Sequence, residues 1–309
     1  MKKDVVLSID HLSKKFGKFE ALKDVSFDVN KGEVFGFIGP NGAGKSTTIR
    51  ILLGILKASG GTATVFGQDV WKDSVSIHKR LAYVPGDVYL WPNLSGGEII
   101  DLLLKLGGAK HSARTDELIK QFKLDPTKKA RAYSKGNRQK VALIAAFSTD
   151  SDFYIFDEPT SGLDPLNEEI FQQNVLKLKQ EGKSVLLSSH ILSEVEKMCD
   201  RIGIIREGQI IETGSLDEMR HLTRTVIRVT TSEQLSELHN QPGVHGVESG
   251  TKTNEVTFSV DSEYLDNVMK YLAGKGITAL QSTPPTLEDL FMRYYNANGK
   301  QVKEVGSHD

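Results

Sequence analysis

The chain has 309 residues, enough for one large domain and a smaller one, each with its own core. Apolar residues make up 39% and charged residues 26%, and a net charge of −1 gives no electrostatic reason to expect nucleic acid as a partner. Cys199 is the only cysteine, which excludes an internal disulfide and fits a reducing compartment, and no window approaches the roughly 20 apolar residues of a membrane span.

The basic start, MKKDVVLSIDHLSKKF, lacks the apolar stretch of a signal peptide. Residues 5–12 and 21–29 alternate apolar and polar side chains, which predicts half-buried antiparallel strands. EVFGFIGP then reads as a short buried strand, followed across a glycine-rich turn by the helix-forming KSTTIRILLGIL. Residues from about 98 to 148 read as helical, inside an insertion spanning about 92–148. DFYIFDEP and SVLLSSH are further apolar runs, each leading into a helical pattern. Such strand–turn–helix repeats predict a mainly parallel sheet covered by helices. The composition shifts after SLDEMRHL, giving a first domain of residues 1–222 and a second of 223–296. The second reads βαββαβ, the ferredoxin-like order, with a last helix TLEDLFMRYY after Pro284-Pro285 and a polar tail over 297–309. The scattered histidines do not pair at metal-ligand spacing, so no histidine metal site is expected.

GPNGAGKST fits G-x-x-x-x-G-K-[ST] through Gly39, Gly44, Lys45 and Ser46. With Pro40, Asn41, Gly42, Ala43 and Thr47 it forms a turn whose backbone N–H groups face inward as an anion cradle, at the positive end of a helix. Lys45 is expected to reach the terminal phosphates and the Ser46 hydroxyl to ligate Mg²⁺. A triphosphate-bound Mg²⁺ also wants a carboxylate at the end of a neighbouring strand. Asp157 stands there, holding the metal through water, with Glu158 beyond it to orient and deprotonate an attacking water. His190 ends another strand-like run, at the sheet edge where ligands of open α/β folds bind.

In this order, GPNGAGKST, a helical insertion, FDEPTSGLD and SSH, the residues resemble the nucleotide-binding subunits of ATP-binding cassette (ABC) transporters, over residues 4 to 220 or so. The resemblance implies an α/β P-loop NTPase with a parallel sheet core, an amino-terminal antiparallel β subdomain and a helical insertion. It implies ATP hydrolysis with Mg²⁺, a second cassette as partner, most simply a homodimer, and a membrane permease as a separate polypeptide. The place of work would be the cytoplasmic face of the membrane. By the same resemblance Ser161 to Asp164 correspond to a loop across the dimer interface. His190 corresponds to a switch histidine at the γ-phosphate, and Phe16 to a ring stacked on adenine, where core packing is an equal alternative. The carboxyl-terminal addition looks like that of the bacterial drug- and antibiotic-export branch. A soluble ABC ATPase acting on ribosomes or DNA is the alternative; this chain has neither the paired cassettes nor the long coiled coils of such relatives.

Two stretches compete for the family's Leu-Ser-Gly-Gly-Gln signature, which caps the helix leading into the metal-carboxylate strand. Leu94-Ser95-Gly96-Gly97-Glu98 is the closer match, yet another predicted helix separates it from Asp157. Its plain reading is a capping box, Ser95 with Glu98, ahead of an apolar run. Tyr133-Ser134-Lys135-Gly136-Asn137 is the poorer match in the right place, and Ser134 and Gly136 are expected to meet the γ-phosphate held by the other subunit. Near LAYVPGDVYLWPN the family usually has a glutamine at the metal. Here Gly86 or Asp87 occupies that point; Asp87 would substitute at the metal, whereas Gly86 would shed the contact. Tyr89 and Trp91 read either as a docking surface for a membrane protein or as ordinary packing.

Overall fold

The computed structural model describes residues 4–221, 224–250 and 253–283, in two compact units that divide between Gly214 and Ser215. The larger unit opens with β1 (Val5–Phe16) and β2 (Phe19–Asn30), paired antiparallel from Val5↔Asn30 to Phe16↔Phe19. Period-two alternation sends Leu7 and Ile9 of β1 and Val25, Phe27 and Val29 of β2 into the core, and register shifts between the strands bring Leu12 and Leu22 there as well. β3 (Val34–Ile38) is buried along its whole length, as a parallel strand covered on both faces must be. α1 (Lys45–Leu52) leaves it through the glycine turn and stops before Gly54, whose φ of 65° is left-handed. β4 (Gly60–Val65) and β5 (Gln68–Asp69) extend the antiparallel edge, and α2 (Ser74–His78) leads to β6 (Leu81–Val84).

The insertion holds α3 (Gly96–Leu106), α4 (Ala113–Gln121) and α5 (Lys135–Phe147). Next come β7 (Phe153–Asp157), α6 (Pro165–Gln180), β8 (Ser184–Ser189), α7 (Leu192–Met198), β9 (Arg201–Arg206) and β10 (Gln209–Ser215). The strands join in one sheet in the order β5-β4-β1-β2-β10-β9-β3-β8-β7-β6. From β9 to β6 the pairing is parallel, and the β7–β8 register sets Asp157 beside Ser188. Phe147 of α5, Phe156 of β7 and Phe171 of α6 pack with ring centroids between 5.3 and 5.9 Å, which ties the helix leading out of the insertion to the strand bearing Asp157. Among the described residues no helix is long and apolar enough to cross a membrane.

In the smaller unit, α8 (Leu216–His221) precedes β11 (Arg224–Thr231), β12 (Val244–Ser249), β13 (Glu255–Asp261), α9 (Leu265–Ala273) and β14 (Ile277–Thr283). The sheet order β12-β13-β11-β14, antiparallel throughout, is that of the ferredoxin-like arrangement. Ile227, Val229, Phe258 and Val260 form its core with Val268 and Leu272 of α9. One expectation is corrected. The first helix of the expected βαββαβ order, read from SEQLSELHN over 232–240, is reduced to a 3₁₀ turn at Leu238–Asn240. Only Leu235 and Leu238 are available to bury, and Pro242 follows at once, too little apolar surface to offset helix nucleation. The last helix and the tail lie outside the described residues.

Ser95 behaves as a cap. Its Oγ accepts from the Glu98 N–H at 3.3 Å while the Glu98 carboxylate accepts from the Ser95 N–H at 2.6 Å. Replacing Ser95 with Ala is expected to cost about 1 kcal/mol in urea unfolding and to leave unchanged the ATP turnover that the resemblance implies. A tenfold loss of turnover would return this stretch to the active site.

Candidate nucleotide site

The cradle is shaped by what cannot fit in it. A Cβ on Gly39 would lie 2.3 Å from the Ile205 carbonyl oxygen, and one on Gly44 would lie 2.6 Å from Leu22. Gly44 also takes a φ of 116° as the N-cap of α1, and no side chain caps that helix. The N–H groups of its first turn, at Lys45, Ser46 and Thr47, are thereby left to an anionic ligand. Pro40, Asn41, Gly42 and Ala43 close the turn, with the Ala43 N–H donating to the Pro40 carbonyl at 3.2 Å.

Lys45 is only 5% exposed. Its Nζ donates to the Gly39 and Pro40 carbonyls at 2.6 and 3.2 Å and lies 3.1 Å from Glu158 Oε1. That last approach is a charge contact without hydrogen-bond geometry, since Oε1 is buried and has no hydrogen-bond partner.

Asp157 and Glu158 diverge at the end of β7. The buried Asp157 accepts from the Ser188 hydroxyl at 2.5 Å. Glu158 takes a left-handed φ of 49°, held by its N–H donating to both oxygens of Ser188 at 3.1 Å. Its Oε2 meets His190 Nδ1 at 2.5 Å. Lys45, Glu158 and His190 thus form one continuous polar chain. Burial and the nearby Asp157 carboxylate push the Tyr83 phenol up to about 12, so it stays neutral beside the site.

The donor set fits Mg²⁺. Ser46 would supply a hydroxyl and Asp157 a carboxylate, and no three His, Cys, Asp or Glu side chains cluster among the described residues. Mg²⁺ is bound through one or two protein oxygens together with phosphate and water, whereas zinc and calcium need fuller protein cages.

Residues 22–161 match the ABC transporter family, and residues 214–295 match the DrrA1-3-like ATP-binding protein carboxyl-terminal domain. An uncharacterized ABC transporter ATP-binding protein, YhaQ of Bacillus subtilis, is 30% identical over 302 residues, covering 94% of this chain and 99% of its own. The chain belongs to the ATP-binding proteins of ABC transporters. The daunorubicin resistance ATP-binding protein DrrA3 of Streptomyces coeruleorubidus is 31% identical over 98% of this chain and 99% of its own. An uncharacterized ABC transporter ATP-binding protein of Nostoc sp. is 40% identical over 209 residues, which is 65% of this chain and 62% of the relative's length. A solved ATP-binding subunit of an ABC transporter matches at 31% identity and a TM-score of 0.65, over 70% of this chain and 92% of its own.

As an ABC ATPase, the protein places its other candidate residues unevenly around the cradle. Phe16 ends β1 with 49% of its surface exposed and Lys14 5.1 Å from its ring, so it stays out of the core. Ser134 caps α5, accepting from the Asn137 N–H at 3.3 Å. Gly136 presses on the SGLD loop, where a Cβ would meet the Gly162 carbonyl oxygen at 2.3 Å. Asp164 spends both carboxylate oxygens on Asn167 as the cap of α6, which holds its carboxyl below the usual range. Asp87 is exposed and pairs with Lys135 at 3.4 Å, while a Cβ on Gly86 would lie 3.0 Å from the Asp157 carbonyl oxygen.

Sequence reading missed Ser188, which donates to the Asp157 carboxylate and accepts from the Glu158 N–H, and Glu194, a buried carboxyl that accepts from Thr160 at 3.1 Å and Ser189 at 3.4 Å. Pairing the two buried runs in parallel register would have found Ser188. Burial with few polar partners raises the Glu194 carboxyl. Replacing Glu158 with Gln is expected to cut turnover about 10²- to 10⁴-fold and to leave ATP affinity within about threefold, read by steady-state hydrolysis and calorimetry.

Proposed function

We propose that this ABC ATPase closes with a second copy around two ATP-Mg²⁺ and drives a separate membrane permease that exports a drug, an antibiotic or a similar compound. The observation that carries the reading is the convergence of Lys45, Glu158 and His190 on the glycine cradle, with Asp157 held apart by Ser188. Lys45 moves its ammonium from loop carbonyls and Glu158 onto phosphate oxygens. Glu158, relieved of that contact, takes a proton from the attacking water, and His190 holds the carboxylate through Oε2 and faces the terminal phosphate. Ser46 and Asp157 would hold Mg²⁺, which would supply neutralising charge at the phosphates.

Ser134 and Gly136 complete the site from the other copy, with Phe16 against the adenine. The daunorubicin resistance of the Streptomyces relative supports export. A groove of about 290 Å³ lined by Tyr83, Val88, Tyr89, Trp91, Leu103 and Ala146 offers an apolar seat for a short permease helix at the cytoplasmic face of the membrane.

The second-copy requirement is tested with Gly136→Ala, whose added methyl displaces the helix tip. Turnover is expected to fall about 10- to 100-fold with nucleotide affinity nearly unchanged, and wild-type turnover per mole to fall on dilution. Flat turnover on dilution with an active variant refutes the shared site. Purified from membranes with ATP, Glu158→Gln is expected to bring down a polytopic membrane protein, and Trp91→Ala in that background to release it. Recovery as a lone soluble monomer favours the ribosome- or DNA-associated alternative.

A further inference from the structure

The connector from β6 to α3 lacks the glutamine that the family resemblance leads one to expect, and the α5 tip carries a lysine where a glycine is usual. The two departures touch. Lys135 Nζ lies 3.4 Å from Asp87 in the connector and donates to Ser161 Oγ in the SGLD loop at 2.8 Å. One ammonium therefore spans three segments. One turn along α5, on the same face at i+4, Gln139 donates to the Pro85 carbonyl at 3.3 Å. Gln139 is buried, and its other amide atom, Oε1, has no partner.

The neighbouring contacts are stiff. Gly136 packs backbone to backbone on Gly162, and a Cβ on Gly86 would come within 3.0 Å of the Asp157 carbonyl oxygen. The connector then runs two residues past Asp87 to Tyr89 and on to Trp91, the wall of the apolar groove.

We infer that Lys135 is a positioning residue. Paired with Asp87, it carries motion between the groove wall at Tyr89–Trp91 and the phosphate-facing tip of α5, a route that replaces the glutamine. The inference rests on the proposed nucleotide site and goes beyond it by naming the link. Gln139 is the fixed pivot of this link, because its amide is sealed in the protein. Lys135–Asp87 is the adjustable end, because both side chains are half or more exposed. An exposed ion pair alone shifts an equilibrium only a few fold. That is weak enough to break and re-form in each cycle.

The test uses the full chain with Trp71→Phe, which leaves Trp91 as the single tryptophan. Binding of a non-hydrolysable ATP analogue with Mg²⁺ is measured by calorimetry, and Trp91 emission is followed in the same titration. A saturable change in emission is expected. Asp87→Asn and Lys135→Met should each at least halve its amplitude, with dissociation constants within about threefold and unchanged thermal unfolding midpoints. The charge-reversed double variant, Asp87→Lys with Lys135→Asp, should recover most of it.

Full amplitude in the single variants, no recovery in the reversed pair, or a Trp91 signal that ignores bound nucleotide would each overturn the inference. Absence of calorimetric binding would instead bring down the nucleotide site, and the link with it.

Discussion

A buried strand that ends in two adjacent carboxylates must separate them, or two negative charges share one low-dielectric site. β7 does so with one unusual residue. Glu158 takes a left-handed φ, rare for a side chain of its size, and Ser188 on the neighbouring strand accepts from its N–H while donating to Asp157. The outcome is two carboxylates with two environments. One faces a hydroxyl, and the other faces a lysine and a histidine. Strain of this kind persists only where surrounding structure over-determines it, and here the parallel β7–β8 register supplies that.

The same arrangement explains how Lys45 can be almost fully buried. An ammonium out of water is costly unless oxygens replace its hydration. Gly39 and Pro40 supply two carbonyls and Glu158 a charge, although the charge contact lacks hydrogen-bond geometry. In the proposed mechanism phosphate oxygens would offer both charge and alignment, so the lysine would pass from carboxylate to phosphate without meeting an uncompensated interior. On the same proposal Glu158 would gain the freedom to act as a base, and binding and activation would be one rearrangement.

Much of this was legible in the sequence, because motifs that depend on backbone geometry leave residue types behind. The glycines at 39 and 44 mark close approaches, and β3, β7 and β8 read as apolar runs because both of their faces are covered. Ser188 was not legible as a functional residue, since its role comes from strand register and a serine in a strand has no signature of its own. β9 and β10 escaped the reading of apolar runs, because Gly203 interrupts the isoleucines of β9 and β10 buries only Gly214. In the smaller unit, Leu235 and Leu238 suggested a helix, but two apolar positions specify one buried turn and no more.

The competing signatures prove to be physically linked. Tyr133 stands where the family's leucine would be, and its hydroxyl reaches under the start of α3 to the Asp125 carbonyl at 2.6 Å. A Cβ on Gly96 would come within 2.1 Å of that hydroxyl, so glycine at 96 admits the buried tyrosine. The Gly96 of the Leu-Ser-Gly-Gly-Glu stretch is therefore a packing requirement set by Tyr133 of the other candidate signature. Gly136, by contrast, is kept because the backbone of Gly162 leaves no room for a side chain. Position 135 points to the SGLD loop and to Asp87, so it tolerates a lysine. Ser134 and Gly136, the two positions kept from the family's pattern, are those fixed by helix capping and backbone approach. Two of those that vary, Tyr133 and Lys135, have room elsewhere in the fold for their side chains.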